Sequence, residues 1–361
     1  MRIALFDTLQ WKANSTFDPQ AAAAVYAQRL DEWERAEQLG FDGVYIAEHH
    51  FNSVLTPSPN VLLGALAQRT RRIRLGVMVN VLSFHDPLRV AVESAMLDLL
   101  SGGRLDVGVG RGVSIREYEG HHLAWEEGRA RVMEGMELVL QAWTQDVVQF
   151  NGQFRQLGPV RVSPKPLQQP HPPVWAAAYS DETIRWAADK NFSVGFTLVP
   201  TEAICRQLDL YRQLMERRGR TAGPQRILVT RPVFVGATDA QARADSEGPI
   251  NDMFRYFSPP GIKGEIRQWP AGTKFYSEFY RAFLKRNLSF EDLIEAGIIV
   301  VGGADTVARS IATQLQRTGA DNFLAWMNLG AMNADLARAS QEAFAAQVMP
   351  RLRQSQRAPA R

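Results

Sequence analysis

IRLGVMVNVLSFHDPLRVAVESAMLDLLSGGRLDVGVGRG, residues 73–112, is the stretch of sequence that decides the predicted fold. An apolar strand at Ile73–Val79 is followed by Pro87, which suits the first turn of a helix because its missing N–H needs no partner there. That helix ends at Gly102, since glycine readily adopts the left-handed conformation that closes helices. A second apolar strand, Leu105–Gly110, follows at once, and a strand, a crossover helix and another strand are typical of a parallel sheet.

Outside this stretch, short apolar strands and amphipathic helices continue to alternate to the end of the chain. The alternation predicts eight strands, at Met1–Thr8, Gly43–Ala47, Ile73–Val79, Leu105–Gly110, Val174–Ala178, Val194–Leu198, Ile227–Val235 and Asn322–Asn328. Eight parallel strands separated by helices predict an α/β fold of the (β/α)8 or TIM-barrel type, formed by a single domain over residues 1–350. The basic residues 351–361 are expected to form a disordered tail.

Two segments interrupt the alternation. Val147–Phe150 and Gln153–Gln156 flank the dipeptide Asn151-Gly152, which favours a two-residue turn, and they therefore predict a β-hairpin that decorates the barrel. Residues 258–287 carry no strand or helix pattern and form a long insertion before the last strand. Irregular loops of this length inside a compact domain usually serve as lids or binding loops, so we expect the insertion to border the site.

The composition excludes several classes of protein. Apolar residues make up 45% and charged residues 22% of the chain, as in ordinary globular proteins. The single cysteine, Cys205, rules out intrachain disulfides and sites built from several thiolates. There is no apolar run of about 18 residues, which argues against a membrane span, and the basic residues are dispersed among acids rather than gathered into a nucleic-acid groove. The N-terminus lacks a signal-peptide pattern, so we expect a cytoplasmic protein.

In barrels of this type the active site lies at the carboxyl ends of the strands, so residues that directly follow a strand are candidates. Glu48, His49 and His50 follow the second strand, and one or both imidazoles are expected to face the pocket. The alternative is that one histidine caps the barrel rim while the other is solvated. Asn80 and Asn328, at the ends of the third and eighth strands, are candidates for lining a flat ring.

The segment after the fourth strand, GVGRG at 108–112, combines glycines that allow close approach with one fixed cation, Arg111. The planar guanidinium offers several donors at once and suits a phosphate or an anionic ring system. A dinucleotide fingerprint needs the spacing GxGxxG, so the GxGxG found here supports it only weakly. Ser180 and Thr183 open the helix after the fifth strand, where hydroxyls and backbone N–H groups can hold a phosphate, although plain helix capping is the commoner explanation.

Taken together, the EHHF motif at 48–51, the Gly-Arg-Gly at 110–112 and Ser180 resemble the bacterial luciferase-like flavin monooxygenases. The resemblance spans nearly the whole chain. It includes DLLSGGR at 98–104, before the fourth strand, and Arg129, which by itself would be taken for a surface residue. It implies a TIM barrel that binds reduced FMN, reacts with O2 and oxygenates a small organic molecule through a flavin peroxide.

The resemblance also assigns roles to single residues. In that family an arginine after the fourth strand, an arginine in the next helix and hydroxyls that open the fifth helix hold the FMN phosphate; the matching residues are Arg111, Arg129, Ser180 and Thr183. The flavin ring is expected over Met78 and Val79, a place where members often have a non-proline cis peptide. The catalytic histidine, thought to assist formation or breakdown of the flavin peroxide, falls on His49.

Two positions depart from luciferase itself. Tyr179, which we count with the cofactor-binding residues, stands where luciferase has a glutamate before the phosphate-binding serine, and Gly110 replaces a cysteine. These differences argue against light emission and favour a general monooxygenase with a differently shaped pocket. The substrate pocket is expected to include His50, Asn80, Glu117, Phe196 and Asn328.

The partners and the alternatives follow from the same resemblance. The chain has no nicotinamide fingerprint, so a separate reductase is expected to deliver reduced FMN, and the family's usual pairing implies a homodimer through helices beside the second and third strands. One alternative is an oxidoreductase of the same superfamily that transfers hydride with the deazaflavin coenzyme F420. A less favoured one is a metal-dependent barrel hydrolase, but its usual HxH on the first strand is absent and we expect no metal.

Overall fold

The computed structural model describes residues 1–11, 17–51, 54–256 and 288–355. The strands in these ranges are β1 Arg2–Asp7, β2 Gly43–Ile46, β3 Arg74–Val81, β4 Leu105–Gly110, β5 Val148–Asn151, β6 Gln156–Val160, β7 Val174–Ala177, β8 Ser193–Thr197, β9 Ile227–Val235, β10 Val300–Gly302 and β11 Asn322–Trp326. The α-helices are Pro19–Gln38, Pro59–Arg69, Pro87–Ser101, Ile115–Gly120, Gly128–Thr144, Asp181–Lys190, Thr201–Glu216, Asp239–Tyr256, Phe290–Glu295, Ala304–Thr318, Ala334–Ala343 and Met349–Ser355.

Eight of these strands close into a parallel barrel. They pair in the order β9–β11–β1–β2–β3–β4–β7–β8, and β8 pairs back with β9. Helices between successive strands pack against the outside of the sheet, so the predicted (β/α)8 barrel is confirmed. The short strand β10 is an addition, and it runs parallel to the second half of β9 at Val233–Val235.

Alternation of side chains along the barrel strands separates two apolar cores. Side chains on one face, such as Val194 and Phe196 of β8, pack against the surrounding helices. Side chains on the other face fill the barrel interior, among them Phe6, Tyr45 and Trp326. Because both faces are buried, the strands are apolar along most of their length, as expected for a parallel sheet.

Charged side chains close the amino-terminal end of the barrel interior. The fully buried Asp106 carboxylate accepts hydrogen bonds from Arg2, at 3.0 Å, and from Arg74, at 2.7 and 3.0 Å. Tyr45 donates its hydroxyl to the same carboxylate. The side chains of Arg2 and Arg74 stay 31% and 22% exposed, so the carboxylate is the member of the cluster that depends most on its partners.

The predicted hairpin is present, but its second strand lies further along the chain than expected. β5 pairs antiparallel with β6 at Gln156–Val160, and not at Gln153–Gln156. The Glu134 carboxylate accepts hydrogen bonds of 2.5 to 3.1 Å from the backbone N–H groups of residues 153, 154 and 155. These N–H groups are held by a helix side chain and not by a strand partner, so the turn widens to residues 152–155.

The end of the chain departs from the predicted disordered tail. The helix Met349–Ser355 crosses the expected boundary at residue 351, Leu352 is buried, and Arg353 donates to the Gly40 carbonyl at 2.8 Å. The start of the basic segment is therefore part of the folded barrel. Residues 356–361 and the predicted insertion at 258–287 lie outside the described residues. In the described part of the chain, no helix combines the length and the apolar character needed to cross a lipid bilayer.

Candidate active site

A cavity opens at the carboxyl ends of the barrel strands, where this fold places active sites. Segments that follow different strands supply its polar wall: Thr8 follows β1, Glu48 and His49 follow β2, and Tyr179 follows β7. Much of the remaining wall is apolar and includes Phe6, Ala47, Val81, Val109, Leu198 and Trp326. A largely apolar cavity with a few converging polar groups is the usual form of a small-molecule site.

One wall of the cavity carries two guanidinium groups. Arg111 follows β4, and its guanidinium lies 4.6 Å from the centroid of the Trp125 ring, a cation–π contact that orients it. Arg129 lies in the helix Gly128–Thr144 and approaches the Glu182 carboxylate at 3.6 Å. Both arginines line the cavity, so this wall presents two fixed positive charges.

Ser180 and Thr183 line the same cavity at the start of the helix Asp181–Lys190. Ser180 caps that helix by accepting the Thr183 backbone N–H at 3.3 Å, and the two hydroxyl oxygens lie 3.2 Å apart. Hydrogen bonding by its own backbone N–H, then by Ser180, and the charges of Arg129 and Arg111 together lower the pKa of Glu182. Both arginines therefore lie close enough to the helix start to act on one carboxylate, and a helix start itself favours anions.

Met78 and Val79 form part of the wall at the end of β3, and the peptide bond between them is cis, as the resemblance implies. The glycines of β4 are explained by this wall. A Cβ on Gly108 would lie 2.4 Å from the Val77 carbonyl oxygen, and one on Gly110 would lie 2.7 Å from a methyl carbon of Val79. The GxGxG spacing therefore reflects close packing of β4 against β3, and not a dinucleotide fingerprint.

His49 lines the cavity and is paired with a carboxylate from a different loop. Its Nδ1 lies 3.1 Å from Oε1 of Glu117, in the short helix Ile115–Gly120 after β4. The same oxygen accepts the His50 backbone N–H at 3.0 Å. Glu117 also contributes to the cavity wall, although its side chain is only 1% exposed. A buried acceptor thus holds an imidazole that remains in contact with the cavity.

Glu48 binds two other histidines, His50 after β2 and His85 after β3. Its Oε1 lies 2.6 Å from Nε2 of both His50 and His85, while Oε2 accepts the Val81 backbone N–H at 3.0 Å. Burial alone would raise the pKa of Glu48, but hydrogen bonds and charge from both histidines outweigh it and lower that pKa to about 2. Burial likewise disfavours a charged His85, yet Glu48 raises its pKa above the ordinary value of 6.5. The cluster ties the ends of β2 and β3 together.

Glu48, His50 and His85 are also candidate metal ligands, because their donor atoms lie within 4.8 Å of one another. Ligands arranged tetrahedrally around zinc would be roughly 3.3 Å apart. The separations of 2.6 Å between Glu48 and each histidine are shorter than that and are hydrogen-bond lengths. The geometry of these three side chains therefore favours a hydrogen-bonded cluster over a metal centre.

Phe196 and Asn80 do not line the described cavity, contrary to the prediction. Phe196 packs against the helices, because side chains alternate along β8 and its neighbours Gly195 and Thr197 take the cavity face. Asn80 is 2% exposed and donates to the Gly108 carbonyl at 3.4 Å. The register of β3 against β4 shifts just before Asn80, which a regular strand alternation does not predict.

His50 and Asn328 are likewise placed outside the described wall. The His50 ring is bound by Glu48. The Asn328 amide donates to the Asp7 carboxylate at 2.8 Å and accepts from Gln341 at 3.4 Å. Both side chains hold segments that follow the barrel strands, and a contact with substrate stays a prediction for them.

Several wall residues escape the sequence-based predictions. Thr8 and Trp326 stand at the ends of the first and last barrel strands, so the strand-end rule that selected the other candidates also covers them. Trp125 and Met133 come from the segment between β4 and β5. Their spacing does not distinguish them from ordinary core residues.

A family model described as luciferase-like monooxygenase matches residues 8–322. The chain belongs to this family. The resemblance drawn from the EHHF and Gly-Arg-Gly motifs is thereby confirmed. Among curated relatives, the oxygenase component of the flavin-dependent trigonelline monooxygenase of Acinetobacter baylyi is 27% identical over 376 residues, covering 98% of this chain and 96% of that protein.

Solved structures of the same fold include proteins that use different cofactors. The oxygenating constituent of 3,6-diketocamphane monooxygenase from Pseudomonas putida, in complex with FMN, matches with a TM-score of 0.80 at 20% identity and 98% coverage of both chains. The coenzyme F420-dependent tetrahydromethanopterin reductase of Methanopyrus kandleri matches with a TM-score of 0.71 at 18% identity, covering 97% of this chain and 99% of that one. At these identities the likeness establishes the fold alone.

Proposed function

We propose that the protein is the oxygenase component of a two-component, FMN-dependent monooxygenase. A separate reductase supplies reduced FMN, and the barrel uses it with O2 to oxygenate a small organic molecule. The proposal rests on the presence of Arg111, Arg129, Ser180 and Thr183 around one largely apolar cavity. The trigonelline relative, which is itself an oxygenase component and matches almost the whole chain, supports it.

Arg111 and Arg129 would hold the FMN phosphate together with the hydroxyls of Ser180 and Thr183. The Arg129 Nε–H fits this role because it is buried and makes no hydrogen bond to the described residues. Buried donors in native proteins normally have a partner, and a phosphate is a strong acceptor for guanidinium groups. When bound, the reduced flavin supplies the chemistry that activates O2.

The apolar wall and His49 would serve the reaction itself. Phe6, Leu198 and Trp326 keep water from the part of the cavity near the strand ends, which limits loss of activated oxygen to solvent. His49 would hold or move a proton at Nε2, because Nδ1 is paired with Glu117. The scarcity of charge along this apolar wall favours an uncharged, apolar substrate.

Oxygen consumption with a generic NADH:FMN reductase tests the proposal. A panel of uncharged apolar compounds should contain at least one that raises O2 uptake and appears as an oxygenated product by mass spectrometry. The protein without the reductase should not oxidise NADH. If the pure protein oxidised NADH as fast as it oxygenated the substrate, the two-component proposal would be wrong.

Hydride transfer with a deazaflavin is the second candidate, since FMN and coenzyme F420 both carry a phosphate and one fold accommodates proteins that use either. Titrating the protein with each cofactor separates the two. We expect FMN to bind at least about tenfold more tightly, a difference of about 1.4 kcal/mol. Tighter deazaflavin binding, with reduction of a substrate and no oxygen uptake, would favour the alternative.

We also infer a homodimer, from an apolar patch on two adjacent helices. The helices Pro59–Arg69 and Pro87–Ser101 are joined by a hydrogen bond of 3.2 Å from the Gln68 side chain to the Leu100 carbonyl. Their exposed apolar side chains are Val61, Met96, Leu99 and Leu100. Exposed apolar side chains on neighbouring helices favour an association surface. Sedimentation equilibrium should show a dimer that Leu99→Asp converts to a monomer; a monomeric wild-type protein contradicts the inference.

A further inference from the structure

We propose that Glu117 is the positioning residue for His49, and that its carboxylate fixes the imidazole with Nδ1–H toward the protein and Nε2 toward the cavity. The two atoms that meet, Oε1 of Glu117 and Nδ1 of His49, are 3.1 Å apart. The side chains are 1% and 15% exposed, so water competes little for this contact. A carboxylate only accepts hydrogen bonds, which makes Nδ1 the protonated nitrogen of the neutral ring.

The sequence around Glu117 has the spacing of a helix capping box, from Ser114 to Glu117. Ser114 does cap the helix Ile115–Gly120, accepting the Glu117 backbone N–H at 3.4 Å. In a full capping box the glutamate side chain would accept the Ser114 N–H in return. The Glu117 carboxylate instead accepts N–H groups of His49 and His50, more than sixty residues earlier in the chain. Glu117 therefore makes a long-range contact in place of the local one that a capping box would give.

The short helix that carries Glu117 is itself anchored. The Tyr118 side chain is buried, and its hydroxyl contacts the Arg111 carbonyl and the Ser83 hydroxyl. A Cβ on Gly128 would lie 1.9 Å from that hydroxyl oxygen, so the surrounding backbone is packed closely around it. Glu117 is thus held by its neighbour against the backbone of Arg111, and a positioning residue needs such a fixed support.

The three histidines that follow β2 and β3 are bound by two different carboxylates. Glu48 binds His50 and His85 at Nε2, whereas Glu117 binds His49 at Nδ1. A ring held at Nδ1 presents Nε2 on its other side, and of the three histidines His49 is the one that lines the cavity. Proton exchange with a reactant in the cavity therefore falls to Nε2 of His49, as in other sites where a carboxylate fixes the tautomer of a histidine.

Two substitutions separate the charge of Glu117 from its position. Glu117→Gln keeps Oε1 as an acceptor and removes the charge, so turnover should fall about 10-fold. Glu117→Ala removes the acceptor and should lower turnover on the order of 100-fold, with FMN affinity within about threefold of wild type. Glu119, exposed on the same helix, gives the matched control, and Glu119→Ala should leave turnover unchanged. Wild-type turnover in both Glu117 variants would overturn the proposal.

A double-mutant cycle tests whether Glu117 acts through His49. In a His49→Gln background, Glu117→Ala should lower turnover by less than about twofold, because the residue it positions is already gone. A merely structural role of Glu117 gives the same loss in both backgrounds, so full additivity overturns the proposal. If Glu117→Ala does not fold, as judged by thermal unfolding, Glu117→Gln carries the same cycle.

Nitrogen-15 NMR of the histidine rings gives a readout that needs no cofactor. The chain has six histidines, and a His49→Gln variant identifies the His49 signals. At about pH 8, where ordinary imidazoles are neutral, His49 should be the Nδ1–H tautomer in wild type and a mixture in Glu117→Ala. An Nε2–H tautomer in wild type, or no change in the variant, overturns the proposal. The activity tests rest on the proposed function, but this spectrum does not, so failure of either one can be recognised separately.

Discussion

Arg111, Arg129, Ser180 and Thr183 form the proposed binding site for the FMN phosphate, here called the phosphate seat. Replacing Arg129 tests it most directly, and the size of the effect follows from the contacts of Arg129. Its guanidinium lines the cavity, carries a buried Nε–H with no hydrogen-bond partner among the described residues, and lies 3.6 Å from Glu182. A hydrogen bond to a charged group contributes about 1.5–3 kcal/mol. Arg129→Ala should therefore raise the dissociation constant of FMN by roughly 10- to 150-fold.

The neighbouring carboxylate of Glu182 also affects the dissociation constant of FMN, and the sign of its effect can be tested. In Arg129→Ala this carboxylate loses the nearer of its two cationic partners and keeps only Arg111, so the loss should lie toward the upper end of the range. Glu182→Gln removes the competitor for Arg129 and should tighten FMN binding. Because Glu182 is 51% exposed, the gain is limited to about 0.5 kcal/mol, which is roughly a twofold lower dissociation constant.

Quenching of flavin fluorescence at one fixed ionic strength measures these affinities, since salt screens exposed charges. Arg131 is the matched control: it lies on the same helix, is paired with Glu127 at 2.8 Å and is outside the described cavity wall. Arg131→Ala should bind FMN as wild type does, with both variants checked by thermal unfolding. Wild-type affinity in Arg129→Ala, or equal weakening in both variants, refutes the assignment of Arg129 to the phosphate.

Two predictions concern the stability of the fold and can be tested by urea unfolding. The pKa of Glu48 is lowered to about 2 and that of His85 is raised, so their pairing stabilises the fold most between the ordinary values of 4.5 and 6.5. The free energy of unfolding should fall as the pH drops from 4.5 toward 2, and it should also fall as the pH rises through the raised pKa of His85. Urea unfolding of a His85→Gln variant tests the second fall. If that variant still loses stability at alkaline pH, the assignment to His85 is wrong. Asp106→Asn should lower the free energy of unfolding by about 2–3 kcal/mol, because Arg2 and Arg74 lose a buried partner but stay partly solvated. An unchanged midpoint of urea unfolding would contradict this prediction.

The barrel is predictable from the sequence because its signals are local. β9 spans Ile227–Val235, the range predicted from its apolar run. The helix after β3 begins at Pro87, is capped by the Asp86 side chain, and ends at Gly102 with a φ of 69°. Each of these features depends only on neighbours within a few residues, so spacing and composition are sufficient to read them.

The structure departs from the sequence-based predictions where a group distant in the chain determines the contacts of a residue. Glu134 holds the backbone N–H groups that a two-residue hairpin turn would have used. Asn328 is bound by Asp7, 321 residues earlier. Phe196 is a different case, since strand alternation separates it from Gly195 and Thr197 but does not say which face is the cavity. Sequence spacing gives the period of a strand, but it does not give the partner of a polar side chain.

The phosphate seat lies between these two cases. Ser180 and Thr183 carry a local signal, the start of a helix. Arg129 carries none, since an arginine in an amphipathic helix is usually a solvated residue. Its place in the cavity wall depends on how the helix Gly128–Thr144 packs beside the helix start at Ser180, and that packing is a property of the closed barrel. Only the resemblance to a family selects this residue from the sequence.

Charge is distributed unevenly over the described cavity, and this gives a bound molecule a direction. Arg111 and Arg129 bring positive charge to the wall near the helix start at Ser180, whereas Glu117 is paired with His49, and Glu48 is adjacent to it in the chain. The two glutamates are tied to backbone N–H groups, at 3.0 Å each, so they are not free to swing toward the arginines and neutralise them. Coulomb energy therefore favours a ligand with its anionic group at the arginines and its uncharged ring toward His49. The roles proposed for Arg129 and for His49 thus depend on the same fixed separation of charge.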